Sequence, residues 1–139
     1  MKWQPDDVRV EFAITKTAEM RRSTKPHWHD VRQRLDELGI AYEDAVVAEW
    51  QPEGEHFMFG LVASRDGRLF IFDATFDFDP SGRPLAKGIG WIGRWRELGP
   101  EEARLTSAGY PNSYSQSAIV GRLVFAREHG AGTGGLTSD

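Results

Sequence analysis

The run Phe57–Asp79, FMFGLVASRDGRLFIFDATFDFD, constrains the fold more than any other part of the chain. Two stretches rich in aromatic and aliphatic residues flank Asp66-Gly67, and each is the length of a β-strand. A two-residue Asp-Gly link suits a type I′ hairpin, because both turn residues need positive φ. That turn sets a register in which Ala63 faces Phe70, Leu61 faces Phe72, Phe59 faces Ala74 and Phe57 faces Phe76. One face is then almost purely aromatic and aliphatic. The other carries Met58, Val62, Leu69 and Ile71 near the turn, then Asp73, Asp77 and Asp79 away from it.

Before this hairpin, Val46, Ala48 and Trp50 alternate with Val47 and Glu49, and Pro52-Glu53-Gly54-Glu55 reads as a turn. Residues 44–79 therefore predict a three-stranded antiparallel meander. Val8, Val10, Phe12 and Ile14 also alternate with polar or small residues, which predicts a strand near the start. Residues 26–38 predict a helix: Pro26 suits the first turn, and Trp28, Val31, Leu35 and Leu38 form one apolar stripe. Ile89–Arg96 predicts a further strand, and Gly99–Gly109 a short helix. Residues 111–129 predict a second long helix, in which the lone Gly121 either weakens the helix or allows close packing. This order gives an α+β fold: a curved antiparallel sheet of four to five strands, packed against helices 26–38 and 111–129 on one face. The Trp28 helix is expected to cover Phe57, Phe59, Phe70, Phe72 and Phe76, each worth about 1.5–3 kcal/mol when buried. Residues 1–129 read as one domain, and 130–139, GAGTGGLTSD, as a flexible tail.

Cysteine is absent, so disulfides and thiolate metal sites are excluded. There is no apolar run of about 18 residues, and MKWQPDD has no apolar core of a secretory signal. The expected address is cytoplasmic. Net charge is −4, unevenly spread: residues 36–79 hold eleven acids against two bases, whereas both flanks are net basic. An acidic middle disfavours a nucleic-acid backbone and favours a basic protein partner.

Several short patterns invite chemical readings. His27 and Asp30 lie three apart on the predicted helix, beside His29, and His56 opens the hairpin. These four are the candidates for proton transfer, in a site between sheet and helix that takes an apolar ligand. Their plain alternative is solvation and helix capping, and no HExxH spacing is present. Gly88-Ile89-Gly90-Trp91-Ile92-Gly93 matches G-x-G-x-x-G but lacks the strand-to-helix setting of a dinucleotide site. Asp77-x-Asp79-x-Ser81-Gly82 matches half an EF-hand loop, but the twelfth position is Gly88 instead of an acid. Trp91, Arg94, Trp95 and Arg96 interleave rings and bases over too small a footprint for nucleic acid. No cofactor and no metal are expected.

The acids are the residue of this accounting. Asp73 and Asp77 share a strand face, with Asp79 next, and Glu53 and Glu55 come from the neighbouring turn. Like charges side by side on a sheet cost stability unless a cation or partner offsets them. The pattern F-x-G-L-V-x-x-x-D-G-R-x-F-x-F-D, in a small acidic cysteine-free α+β chain, resembles bacterial immunity and antitoxin proteins over the hairpin alone. The resemblance implies a non-enzymatic module that neutralises a basic partner, such as a nuclease toxin, and the crowding of acids points to Asp73, Asp77, Asp79, Glu53 and Glu55 as the binding residues. Homodimerisation through a sheet edge or an exposed Trp patch is a third expectation.

Overall fold

The computed structural model describes residues 3–52, 57–76, 90–103 and 111–129. Three helices, α1 (Asp7–Arg22), α2 (Pro26–Glu37) and α3 (Ser113–His129), accompany four strands. These are β1 (Ala45–Pro52), β2 (Phe57–Ser64), β3 (Leu69–Phe76) and β4 (Gly90–Glu97). The strands form one open antiparallel sheet in the order β1-β2-β3-β4. The fold is α+β, as expected, but the helices are not confined to one face.

The first segment is a helix, not a strand. Asp6 caps it, accepting from the Arg9 N–H at 2.8 Å, and no Gly or Pro interrupts the 16 residues that follow. The buried positions Val10, Ala13, Thr17 and Met20 recur at three, four and three residues, the helical period. The alternating set misleads because two of its members face water: Val8 is 77% exposed and Phe12 45%.

The hairpin turn also differs, by one residue. Gly67 alone takes the left-handed conformation, at φ 94°, and donates to the Ser64 carbonyl at 3.0 Å. The Ser64 N–H donates to the Arg68 carbonyl at 2.8 Å. Three residues, Arg65 to Gly67, thus make the loop, the pattern of a type I turn followed by a glycine bulge. The register moves with it: Ala63 faces Leu69, Leu61 faces Ile71, Gly60 faces Phe72, Phe59 faces Asp73 and Phe57 faces Thr75.

This shift divides the aromatic residues between two cores, because neighbours on a strand point to opposite faces. On one face, Phe59, Leu61, Ala63, Leu69 and Ile71 pack with Val10 and Ala13 of α1 and Val120 and Val124 of α3. On the other, Met58, Val62, Phe72, Ala74 and Phe76 pack with Trp28, Val31 and Leu35 of α2. The sheet is therefore a middle layer. Phe57 belongs to neither core and is 46% exposed.

Two close approaches seal the layers. The Phe72 ring lies over Gly60, where an added Cβ would come within 2.2 Å of it. Gly121 brings α3 against β2: a Cβ there would meet that of Ala63 at 2.9 Å. A bulge at Ala48 bends β1, and another at Gly93-Arg94 bends β4 opposite Asp73. Each edge strand meets a helix side chain. The buried Thr17 hydroxyl of α1 accepts from the Val47 N–H of β1 at 2.9 Å. The Asp30 carboxylate of α2 accepts from the Ile92 N–H of β4 at 3.3 Å. Of the short helix expected over Gly99–Gly109, residues 100–103 form turns, and 104–110 lie outside the described residues.

Candidate functional site

The histidine and aspartate candidates do not converge. His27 is only 4% exposed, with its ring against Trp28 (4.9 Å between centroids), Trp50 (5.6 Å, stacked) and Phe76 (4.9 Å). Its Nδ1 is buried without a partner among the described residues. Burial pushes its pKa down to about 4; Lys25 and Lys16 add to the effect and Asp30 opposes it. Such a ring is neutral at physiological pH and packed against other rings. His29, two residues on, is exposed, and Asp30 is engaged by the Ile92 N–H. His56 lies outside the described residues. Among the described residues no group of three or more His, Asp or Glu stands where it would hold a metal ion.

The interleaved rings and bases of β4 have partners inside the molecule. Trp95 stacks on Phe70 and Phe72, at 5.3 and 5.7 Å. Arg94 holds Asp73 with two contacts, at 3.1 and 3.2 Å. Arg96 pairs with Glu102 through two hydrogen bonds of 2.9 and 3.0 Å, and these hold the Glu102 carboxyl below its usual range. Arg68 does the same for Glu97.

Of the five acids expected to meet a basic partner, only Asp73 is described, and its charge is already met by Arg94. Glu53, Glu55, Asp77 and Asp79 lie outside the described residues. Elsewhere the basic flanks serve the acidic middle in the same way: Arg9 of α1 reaches Glu49 of β1 at 3.2 Å. Within the middle, Arg65 donates to Asp44 at 2.8 Å.

Another group of acids gathers at the opposite end of the sheet, around the β2–β3 turn: Asp36, Glu43 and Asp66, which keep no ion pair among the described residues, and Asp44, which Arg65 holds. The α2–β1 connection passes there. Gly39, at φ 74°, ends α2, and Ile40 folds back so that its N–H donates to the Leu35 carbonyl at 2.9 Å. Two open clefts adjoin at Gly39 and Ile40. One, about 350 Å³, is bounded by Asp44, Ser64, Arg65 and Asp66; the other, about 410 Å³, by Asp36, Tyr42 and Glu43. Four acids face this pair of clefts against one base. A hydrogen bond from the Ser64 hydroxyl lowers the Asp66 pKa, keeping it charged. Sequence reading missed this grouping, because Asp36, Glu43 and Asp66 come together only through the glycine-terminated helix and the three-residue turn.

The scaffold behind these clefts is firmly tied. Arg21 of α1 donates to the carbonyls of Tyr42 and Ala45, each at 3.0 Å, and pairs with Glu128 of α3. No helix among the described residues is long and apolar enough to cross a membrane. No protein-family model, curated protein or solved structure matches the chain.

Proposed function

We propose that this protein is a non-enzymatic binding module that takes a basic protein partner, in the manner of an immunity or antitoxin protein. The observation that carries this reading is the paired cleft at Gly39-Ile40, where the Asp44–Arg65 pair leaves Asp36, Glu43 and Asp66 without a base on the walls among the described residues. An open, net negative concavity steers cationic partners and speeds their approach at low salt. The titratable groups of the described residues support binding over catalysis. Away from the clefts most of them act as caps and ion pairs, and the one strongly perturbed group among them, His27, is sealed among rings.

The two ends of the sheet make separable predictions. Asp73 is neutralised by Arg94, so reversing it is expected to matter less than reversing acids at the clefts. Tagged protein is used to capture its partner from the native host, and the captured partner is then tested against two variants. Asp36→Lys with Glu43→Lys is expected to weaken binding at least about tenfold and to slow association most at low salt. Asp73→Lys with Asp77→Lys is expected to have the smaller effect. Capture of no basic protein, or full affinity in the Asp36/Glu43 variant, overturns the proposal. Loss confined to the Asp73/Asp77 variant moves the site to the other end.

A further inference from the structure

A second concavity lies on the α1/α3 side of the sheet, away from the acidic clefts. It is an open cleft of about 380 Å³ between β1, β2 and the first turns of α3. Its floor includes Leu61, fully buried, and the half-buried Phe59 ring. Its walls are polar but balanced in charge. Arg9 donates to the Gln116 side-chain oxygen at 3.1 Å and to Glu49 at 3.2 Å, and its guanidinium lies 5.6 Å from the centre of the Trp3 ring. Gln116 in turn donates to the Pro111 carbonyl at 3.2 Å. These bonds fix one cation and one anion in the wall before any ligand arrives.

Other lining groups have hydrogen-bonding capacity with no protein partner among the described residues. They are the Gln51 amide, the Ser113 hydroxyl and the second Glu49 carboxylate oxygen; the Tyr114 hydroxyl also lines the cleft, within the field of the Arg96 guanidinium. From this arrangement we propose that the cleft binds a neutral polyhydroxylated ligand, a pyranose sugar. Charge balance argues against an ion: an anionic ligand would face Glu49 and a cationic one Arg9, each already paired. A pyranose has an apolar C–H face to set against the half-buried Phe59 ring. It also has hydroxyls that donate to Glu49 and accept from the amide and hydroxyl groups. A flat nucleoside base would use the ring but leave most of the rim groups unanswered.

The test is a titration of ¹⁵N-labelled protein followed by amide chemical shifts. The probes are the methyl pyranosides of glucose, galactose, mannose and N-acetylglucosamine, with adenosine and free arginine as comparators. At least one pyranoside is expected to give saturable shifts centred on residues 49–51, 59–61 and 113–117. Gln51→Ala is exposed and structurally mild, and is expected to weaken that binding by about tenfold without altering the rest of the spectrum. Tyr114→Phe gives a second, gentler check. Tighter binding of a disaccharide than of its monosaccharide marks a glycan end as the natural ligand; equal binding marks a free sugar. Absence of saturation with every pyranoside, saturation by adenosine or arginine alone, or shifts unchanged in both variants overturns the proposal.

Discussion

His27 shows how a single buried side chain couples stability to pH. Its folded pKa, about 4, lies below the ordinary 6.5, so between those values the unfolded chain holds the proton more readily than the folded one. Stability is therefore complete above about pH 6.5 and falls as pH drops towards 4, by on the order of 3 kcal/mol at roughly 1.4 kcal/mol per unit. Three charged groups tune this: Lys25 and Lys16 disfavour the proton and Asp30 favours it. His27→Leu removes both the titration and the unpartnered Nδ1. Thermal melts at pH 7 and pH 5 are expected to show a clear drop in Tm for the wild type and a much smaller one for the variant. An equal drop in both would assign the acid sensitivity to another group. The sequence placed His27 and Trp28 on a helix correctly. It did not reveal that the ring would be enclosed, because Trp50 and Phe76 reach it from strands far away in the chain.

Elements were legible where local chemistry and tertiary need agreed. Helix α2 carries its own proline start, apolar stripe and glycine stop, and the three strands from Ala45 to Phe76 show clear boundaries. Helix α1 was misread because Val8 and Phe12, left at the surface, completed a false period of two. The pattern Val10, Ala13, Thr17 and Met20 was present, but a small and a hydroxylated residue do not look apolar from sequence alone. Gly121 tests the packing of α3. In an exposed helix, Gly→Ala gains about 1 kcal/mol. Here the new methyl would meet Ala63 on β2, a strand with nowhere to move, and overpacking costs about 1–3 kcal/mol. Gly121→Ala is expected to lower Tm, and Ala63→Gly in the same chain to recover part of the loss. A rise in Tm on the single substitution would show that the layers can part freely.

At the scale of the molecule, the uneven charge of the sequence resolves into internal pairing. The basic flanks fold back on the acidic middle through Arg9 to Glu49 and Arg94 to Asp73. Composition showed the imbalance but not its partners, which depend on the sheet register and the β4 bulge. Hence the candidate site shifted from the acids of the strand ends to those around Gly39-Ile40. Arg21 ties the whole together by joining α1, the α2–β1 connection and α3. Lysine keeps the charge but cannot spread donors over two carbonyls and a carboxylate. Arg21→Lys is therefore expected to cost roughly 1.5–3 kcal/mol, read as a lower denaturation midpoint with an unchanged m value. A cost near zero would mean that the three parts hold without this fork.

The loop Arg65-Asp66-Gly67 is exposed, and surface loops ordinarily tolerate changes in length. This one does not share that freedom. Its three residues, closed by Gly67 at positive φ, hold the register that sends alternate residues of β3 to α2 and to α1 and α3, so a residue lost or gained here must be absorbed by a different turn type or β3 slips by one and the two cores exchange. The conformation of a solvent-facing turn is thus held to account by residues that it never touches.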